Sequence, residues 1–164
     1  MKLPLNTECS HTTSPLGPIS LATAGEKLLG IWFDGQTHMP DLSGFKQTPD
    51  HPVLQRAAQQ LAQYFAGQRI QFDLPLDLSH GTAFQQIVWQ ALRQIAPGDT
   101  CSYQTVAKTI GRPKAVRAVA AAIGRNPLTV MVPCHRVVGA NGALTGYAGG
   151  LERKSALLHL EGAR

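Results

Sequence analysis

The chain has 164 residues, 43% of them hydrophobic, enough for one ordinary domain or two small ones with a real core, which excludes a disordered tail. No apolar run approaches the length of a membrane span, and Met1 to Ser20 lacks the charged-then-apolar order of a secretory leader, so no membrane association is expected. Residues 1–81 hold five Lys/Arg and seven Asp/Glu, net −2; residues 82–164 hold ten and three, net +7, a basic half that suits either a polyanion partner or a merely soluble surface.

The chain opens polar, with a loose segment expected through about Pro15. Ile19 to Ala22 and Leu28 to Phe33 read as strands joined by a turn at Gly25-Glu26-Lys27, and Gly35 to Asp50 reads as loop. A helix is expected from Pro52 to Ala66, with Val53, Leu54, Ala57, Leu61, Tyr64 and Phe65 on one face and Gly67 as its stop. Arg69 to Leu74 alternates like a short strand, and Leu76 to Gly81 reads as a linker. Thr82 and Gln85 form a capping box for a helix whose apolar stripe is Phe84, Ile87, Val88, Ala91, Leu92 and Ile95. After a turn at Pro97-Gly98-Asp99, Ser102 caps a short helix ending near Ile110. Gly111-Arg112-Pro113 breaks the chain before a helix from Lys114 to Ile123, and the pair is a helix-turn-helix candidate. A last helix runs from about Glu152 to Glu161.

Two features point to chemistry. The helix from Lys114 to Ile123 places Val116, Val119, Ala120 and Ile123 on one side and Lys114, Arg117, Ala118, Ala121 and Ala122 on the other. A face of alanines with two cations suits close approach to a flat anion, or else packing on another helix. The apolar run Leu128–Val132 then delivers Pro133-Cys134-His135-Arg136-Val137. Proline ends a strand and sets the cysteine at a bend, and an imidazole with nearby cations favours the nucleophilic thiolate. A Cys-His pair alone more often marks a buried core cysteine. Cys9, Cys101 and Cys134 are an odd, scattered set, unlike a disulfide framework, and imply a reducing compartment.

The stretch from Gly124 through Asn126-Pro127 to Val137, with Ser102-Tyr103-Gln104, Arg117-Ala118-Val119 and Tyr147-Ala148-Gly149-Gly150-Leu151 in order, closely resembles the O6-alkylguanine-DNA alkyltransferases, also called methylated-DNA–protein-cysteine methyltransferases. The resemblance runs from about Gly17 to Glu161. It implies an α/β N-terminal domain, ribonuclease-H-like and mainly antiparallel (1–78), and a mainly α C-terminal domain with a winged-helix-like helix-turn-helix (79–164). It implies a single-use protein that flips O6-alkylguanine, and O4-alkylthymine in some cases, out of duplex DNA and keeps the alkyl group on Cys134.

By the same resemblance Glu161, His135, a water and Cys134 form a relay, and Tyr103 reaches guanine N3. The Ala148 N–H binds O6, the Cys134 and Val137 carbonyls take the exocyclic amine, and Tyr147 to Gly150 cover the pocket. Asn126 ties its turn to the cysteine, and Lys154 matches a family lysine, although a lysine on a helix surface is usually only solvated. Arg117 fills the place of the flipped nucleotide, on a DNA face with Lys114, Ala118, Ala121, Arg125 and Arg136. No cofactor is expected. No metal is expected either, since Cys9 has no cysteine partner in the N-terminal half. Ala148 stands where many members have serine, and Thr129 where some have proline.

The expected partner is double-stranded DNA carrying alkylated bases, met in the cytoplasm (at the nucleoid if the source is bacterial) by a monomer whose cooperativity on DNA stays open. The alternative reading is a non-catalytic sensor of alkylation damage, against which the presence of Cys134 argues. A helix-turn-helix regulator leaves the Pro-Cys-His-Arg run unexplained, and a cysteine hydrolase has no use for the alanine-faced helix.

Overall fold

The computed structural model describes residues 1–164. A four-stranded sheet, in the order β3-β2-β1-β4, is built from β1 (Glu8–Thr12), β2 (Ile19–Ala24), β3 (Lys27–Phe33) and β4 (Lys46–Gln47). β1, β2 and β3 are antiparallel, and β4 adds parallel to β1, so the sheet is mixed. The opening segment is therefore not loose. It supplies an inner strand whose only apolar side chain is Cys9, too weak a pattern to read as alternation. Between Ala22 and Thr23 of β2 the register shifts, which inserts Leu29 as an extra residue in β3. Leu28, Ile31 and Phe33 face the main core, whereas Leu29 and Trp32 join Leu3, Cys9, Ala22 and Leu42 in a smaller cluster.

Helix α1 (Pro52–Phe65) lies against the sheet, its N-terminus capped by the His51 ring accepting from the Val53 N–H. Val53, Leu54, Ala57, Leu61 and Tyr64 are buried, as the apolar spacing predicts. Arg69–Leu74 is not a strand. Its backbone polar groups at Asp73 are taken by the Gln60 side chain, which accepts from the N–H and donates to the carbonyl, leaving no ladder to extend.

The second half is helical: α2 (Ala83–Leu92), α3 (Tyr103–Thr109), α4 (Val116–Gly124) and α5 (Leu151–Leu160), with a two-strand parallel pair, β5 (Cys101–Ser102) and β6 (Val137–Val138). The Thr82–Gln85 capping box forms in both directions. Val88 and Leu92 of the expected stripe are buried, but Ile87 is exposed and Trp89 is buried instead, its indole N–H donating to the Ala122 carbonyl on α4. Ala122 is buried, opposite to its expected side, while Lys114 lies outside the helix because α4 begins at Val116. Leu128–Val132 is a folded turn, not a strand. Its Val132 N–H returns to the Leu128 carbonyl, and Val130 has φ +75°.

One core of 26 residues runs through both halves, from Ile19 to Leu157. β3 also bonds the segment that leads to Cys134 directly: Ile31 N–H donates to Pro127 O at 2.8 Å and Thr129 N–H to Ile31 O at 3.1 Å. No helix is long and apolar enough to cross a membrane.

Gly30 tests the smaller cluster. A Cβ there would fall 1.8 Å from the Trp32 ring, which lies over the backbone. Gly30→Ala should displace the ring and lower stability by about 1–3 kcal/mol, read as a lower urea midpoint with an unchanged slope.

Candidate active site

Pro133 places the cysteine. With φ −83° and ψ 63° it forms an inverse γ-turn, closed by the Cys134 N–H on the Val132 carbonyl at 2.8 Å. Cys134, His135 and Arg136 then make a single 3-10 turn, all three buried. Asn126 locks this arrangement. Its amide donates to Val132 O at 2.8 Å and to Cys134 Sγ at 3.1 Å, and its carbonyl accepts the Leu128 N–H at 2.9 Å.

Cys134 lies at the wall of a cavity of about 470 Å³. Tyr103, Thr145, Gly146, Tyr147 and Ala148 line one side, and Ala120, Ile123 and Gly124 of α4 another. Thr37 and His38 from the N-terminal half complete it, and neither was picked out from the sequence. Their signal was hidden in a loop; the structure fixes them through the Thr37 N–H, which donates to Ala148 O at 3.0 Å. The pocket loop is held on its other side by Lys154, whose Nζ donates to Thr145 O at 2.9 Å and Gly146 O at 3.1 Å. Lys154 is fully buried, not solvated, with its ammonium 5.9 Å from the centre of the Tyr103 ring. Burial pushes this amine down to about 8. Tyr103 itself starts α3 and donates to Thr145 O at 3.1 Å.

Behind the cysteine sits a buried carboxylate. Glu161 Oε1 accepts from His135 Nε2 and Arg136 Nε, each at 2.9 Å; Oε2 accepts from Arg136 Nη2 at 2.7 Å and Tyr64 Oη at 2.8 Å. Burial alone would raise the Glu161 carboxyl, but the bonds from Arg136 and His135 outweigh it and hold it at about 2. An ionised Glu161 can only accept, so His135 carries its proton on Nε2 and presents the Nδ1 lone pair. Burial lowers the imidazole further, against the pull of Glu161, so His135 rests neutral. Nδ1 has no protein partner, and no hydrogen bond joins it to Cys134.

The thiol differs from the sequence expectation. Burial raises it, and the Asn126 bond and the Lys154 charge only partly oppose this, so Cys134 rests as a thiol. Burial raises the Tyr147 hydroxyl and nearby Cys134 adds to this, yet the hydroxyl has no partner of good hydrogen-bond geometry.

Arg136 is a correction. Its side chain is 8% exposed and committed to Glu161 and to the Ile95 carbonyl at 2.6 Å, so it does not face a nucleic acid. Val137 is buried in β6 and does not line the cavity. Lys114, Arg117, Ala118, Ala121 and Arg125 are all exposed, around the helix whose other flank lines the cavity. No group of three or more His, Cys, Asp or Glu side chains is placed to hold a metal ion.

Fold and site define a two-domain protein with a buried thiol on the wall of a cavity, beside an exposed, basic, alanine-faced helix. Residues 9–78 match the ribonuclease-like domain, and residues 83–163 the DNA-binding domain, of the 6-O-methylguanine DNA methyltransferases, and the chain belongs to this family. It is 50% identical over 151 residues to the methylated-DNA–protein-cysteine methyltransferase of Mycobacterium tuberculosis (strain H37Rv), covering 92% of this chain and 90% of that one. To the constitutive enzyme of the same name in Bacillus subtilis it is 47% identical, covering 92% and 94%. The crystal structure of Mycobacterium tuberculosis OGT in complex with DNA superposes with a TM-score of 0.88 at 46% identity, covering 95% of this chain and 93% of that one.

Glu161→Gln leaves Arg136 buried without its counter-charge, which should cost about 3–5 kcal/mol at neutral pH. The carboxyl is lowered from 4.5 to about 2 on folding, so its contribution is complete above the ordinary carboxylate range and is lost as pH falls toward 2. The stability gap between wild type and variant in urea should therefore narrow from pH 5 downward.

Proposed function

We propose that this protein repairs DNA by direct reversal, moving the alkyl group of O6-alkylguanine irreversibly onto its own Cys134. The observation that carries this reading is the buried Cys134 thiol, fixed by Asn126 in a cavity whose wall is the inner flank of α4. The outer flank of that helix exposes Arg117, Ala118 and Ala121, with Lys114 and Arg125 at its ends. We read α3 and α4 as a helix-turn-helix, α4 as the element in the minor groove, and Arg117 as the side chain that fills the place of the flipped nucleotide. The division at residues 78 and 79, and a ribonuclease-H-like N-terminal fold, belong to the same reading.

The transfer balances within this set of residues. The Cys134 proton passes, through a bridging water, to His135 Nδ1, and the resulting imidazolium is stabilised by Glu161. Sulfur attacks the alkyl carbon as the carbon–O6 bond breaks, and its electrons remain on the guanine. Tyr103, on the cavity wall, gives a proton to ring N3, which improves the leaving group. The Ala148 N–H faces O6 and the Cys134 carbonyl receives the exocyclic amine, while Tyr147 closes on the base. Lys154 acts by holding the pocket loop. The protein is the acceptor, so each copy reacts once. A non-catalytic damage sensor is disfavoured, because the acceptor thiol is present.

Incubation with DNA containing O6-methylguanine should add one methylene's mass, mapped to the peptide holding Cys134; label on Cys9 or Cys101 would overturn the assignment. Cys134→Ser should bind the same DNA and take up nothing.

Arg117→Ala should slow reaction with duplex DNA far more than with the free modified base, and equal slowing would remove its flipping role. Log affinity should fall linearly with log salt, at about −0.9 per phosphate neutralised.

A further inference from the structure

The Glu161 carboxylate has one partner that the relay does not explain. Three of its four hydrogen bonds come from the neighbouring turn, through His135 and Arg136. The fourth comes from Tyr64, 97 residues away on α1, whose hydroxyl donates to Oε2 at 2.8 Å. Tyr64 is 3% exposed, and its ring is set by an edge contact with Phe65 (centroids 5.3 Å) and a tilted one with Phe72 (5.4 Å). An ionised carboxylate has about four lone-pair sites, and all four are filled here. With Oε1 committed to His135, the donors on Oε2 decide how much negative charge remains for the imidazole.

We propose that Tyr64 is a positioning residue for the transfer: its hydroxyl holds Glu161 and takes up part of the carboxylate charge that would otherwise act on His135. This rests on the relay proposed above. The groups that act on His135 are Glu161, which favours its charged form, and Arg136 and Lys154, which oppose it. Asn126, Lys154 and Tyr147 act on Cys134 itself. Tyr64 faces Glu161 and Arg136, and burial together with the carboxylate keeps its phenol protonated. Its O–H dipole points its positive end at Glu161, on the same side as Arg136. It therefore works with Arg136 against the imidazolium. The N-terminal half thereby takes part in setting the readiness of the nucleophile.

The test uses the full chain and Tyr64→Phe, which keeps the ring packing and removes only the donor. Cys134 alkylation by iodoacetamide, located by peptide mapping, is followed against pH, beside methyl transfer from an O6-methylguanine oligonucleotide. The inflection of thiol reactivity should move to lower pH by about half a unit, a roughly three-fold gain on its acid side. Phe65→Leu loosens the same aromatic cluster without touching Glu161, and should lower the melting temperature with the inflection unmoved. An inflection in Tyr64→Phe that stays in place, moves upward, or moves equally in Phe65→Leu overturns the proposal. Iodoacetamide reads the thiol alone, so a wild type that takes no methyl group would defeat the repair reading and leave this comparison intact.

Discussion

A carboxylate buried away from water is tolerated only when its lone pairs are filled, because a half-satisfied ionic network is worse than an apolar one. Glu161, itself at the end of α5, meets that demand with donors from two other segments, α1 and the turn at Cys134–Arg136. None of these segments can shift alone without stranding a charge. The arrangement that orients His135 is therefore also the joint between the two halves, which share one core of apolar side chains. A carboxylate at a helix C-terminus opposes the helix dipole, and the guanidinium of Arg136 more than offsets this.

The thiol depends on a second constraint, the tight chain reversal before it. Val130 takes a left-handed backbone conformation that a β-branched residue adopts only under strain. Asn126 and β3 hold it there, the former through three side-chain bonds and the latter through its ladder to Pro127 and Thr129. Gln36 adds a further tie, accepting from Thr129 Oγ1 and from the Phe33 N–H. The N-terminal sheet is thus the template on which the cysteine loop is folded. The loop over the cavity is braced in the same way, by Thr37 from one half and Lys154 from the other.

Periodicity located most of this architecture. The spacing of Val53, Leu54, Ala57, Leu61 and Tyr64 marked the buried face of α1, and Thr82, Gln85 and Ser102 marked two helix starts. The linked run ending in Pro133-Cys134-His135 marked the family. What stayed hidden were polar tips that find partners far along the chain. Apolar spacing says that the Tyr64 ring is buried, but not that its hydroxyl meets Glu161. Lys154 and Arg136 looked like surface cations because nothing local distinguishes a buried lysine from a solvated one. The missing strand at Arg69–Leu74 has the same origin: its alternation is real, but the Gln60 side chain captures the backbone groups a ladder would need.

The Trp89 indole has an optical consequence. Its N–H is bonded at 2.8 Å to the Ala122 carbonyl, on the helix that carries the exposed basic face, and the ring is shielded from solvent. The other tryptophan, Trp32, lies in the separate cluster of the sheet. A tilt of α4 when its outer face is loaded would alter the surroundings of Trp89, whose emission colour and quenching follow the polarity and hydrogen bonding around the ring. The fold thus contains its own fluorescent gauge of strain on that helix, with Trp32 as an internal reference, and needs no attached dye to follow the encounter in real time.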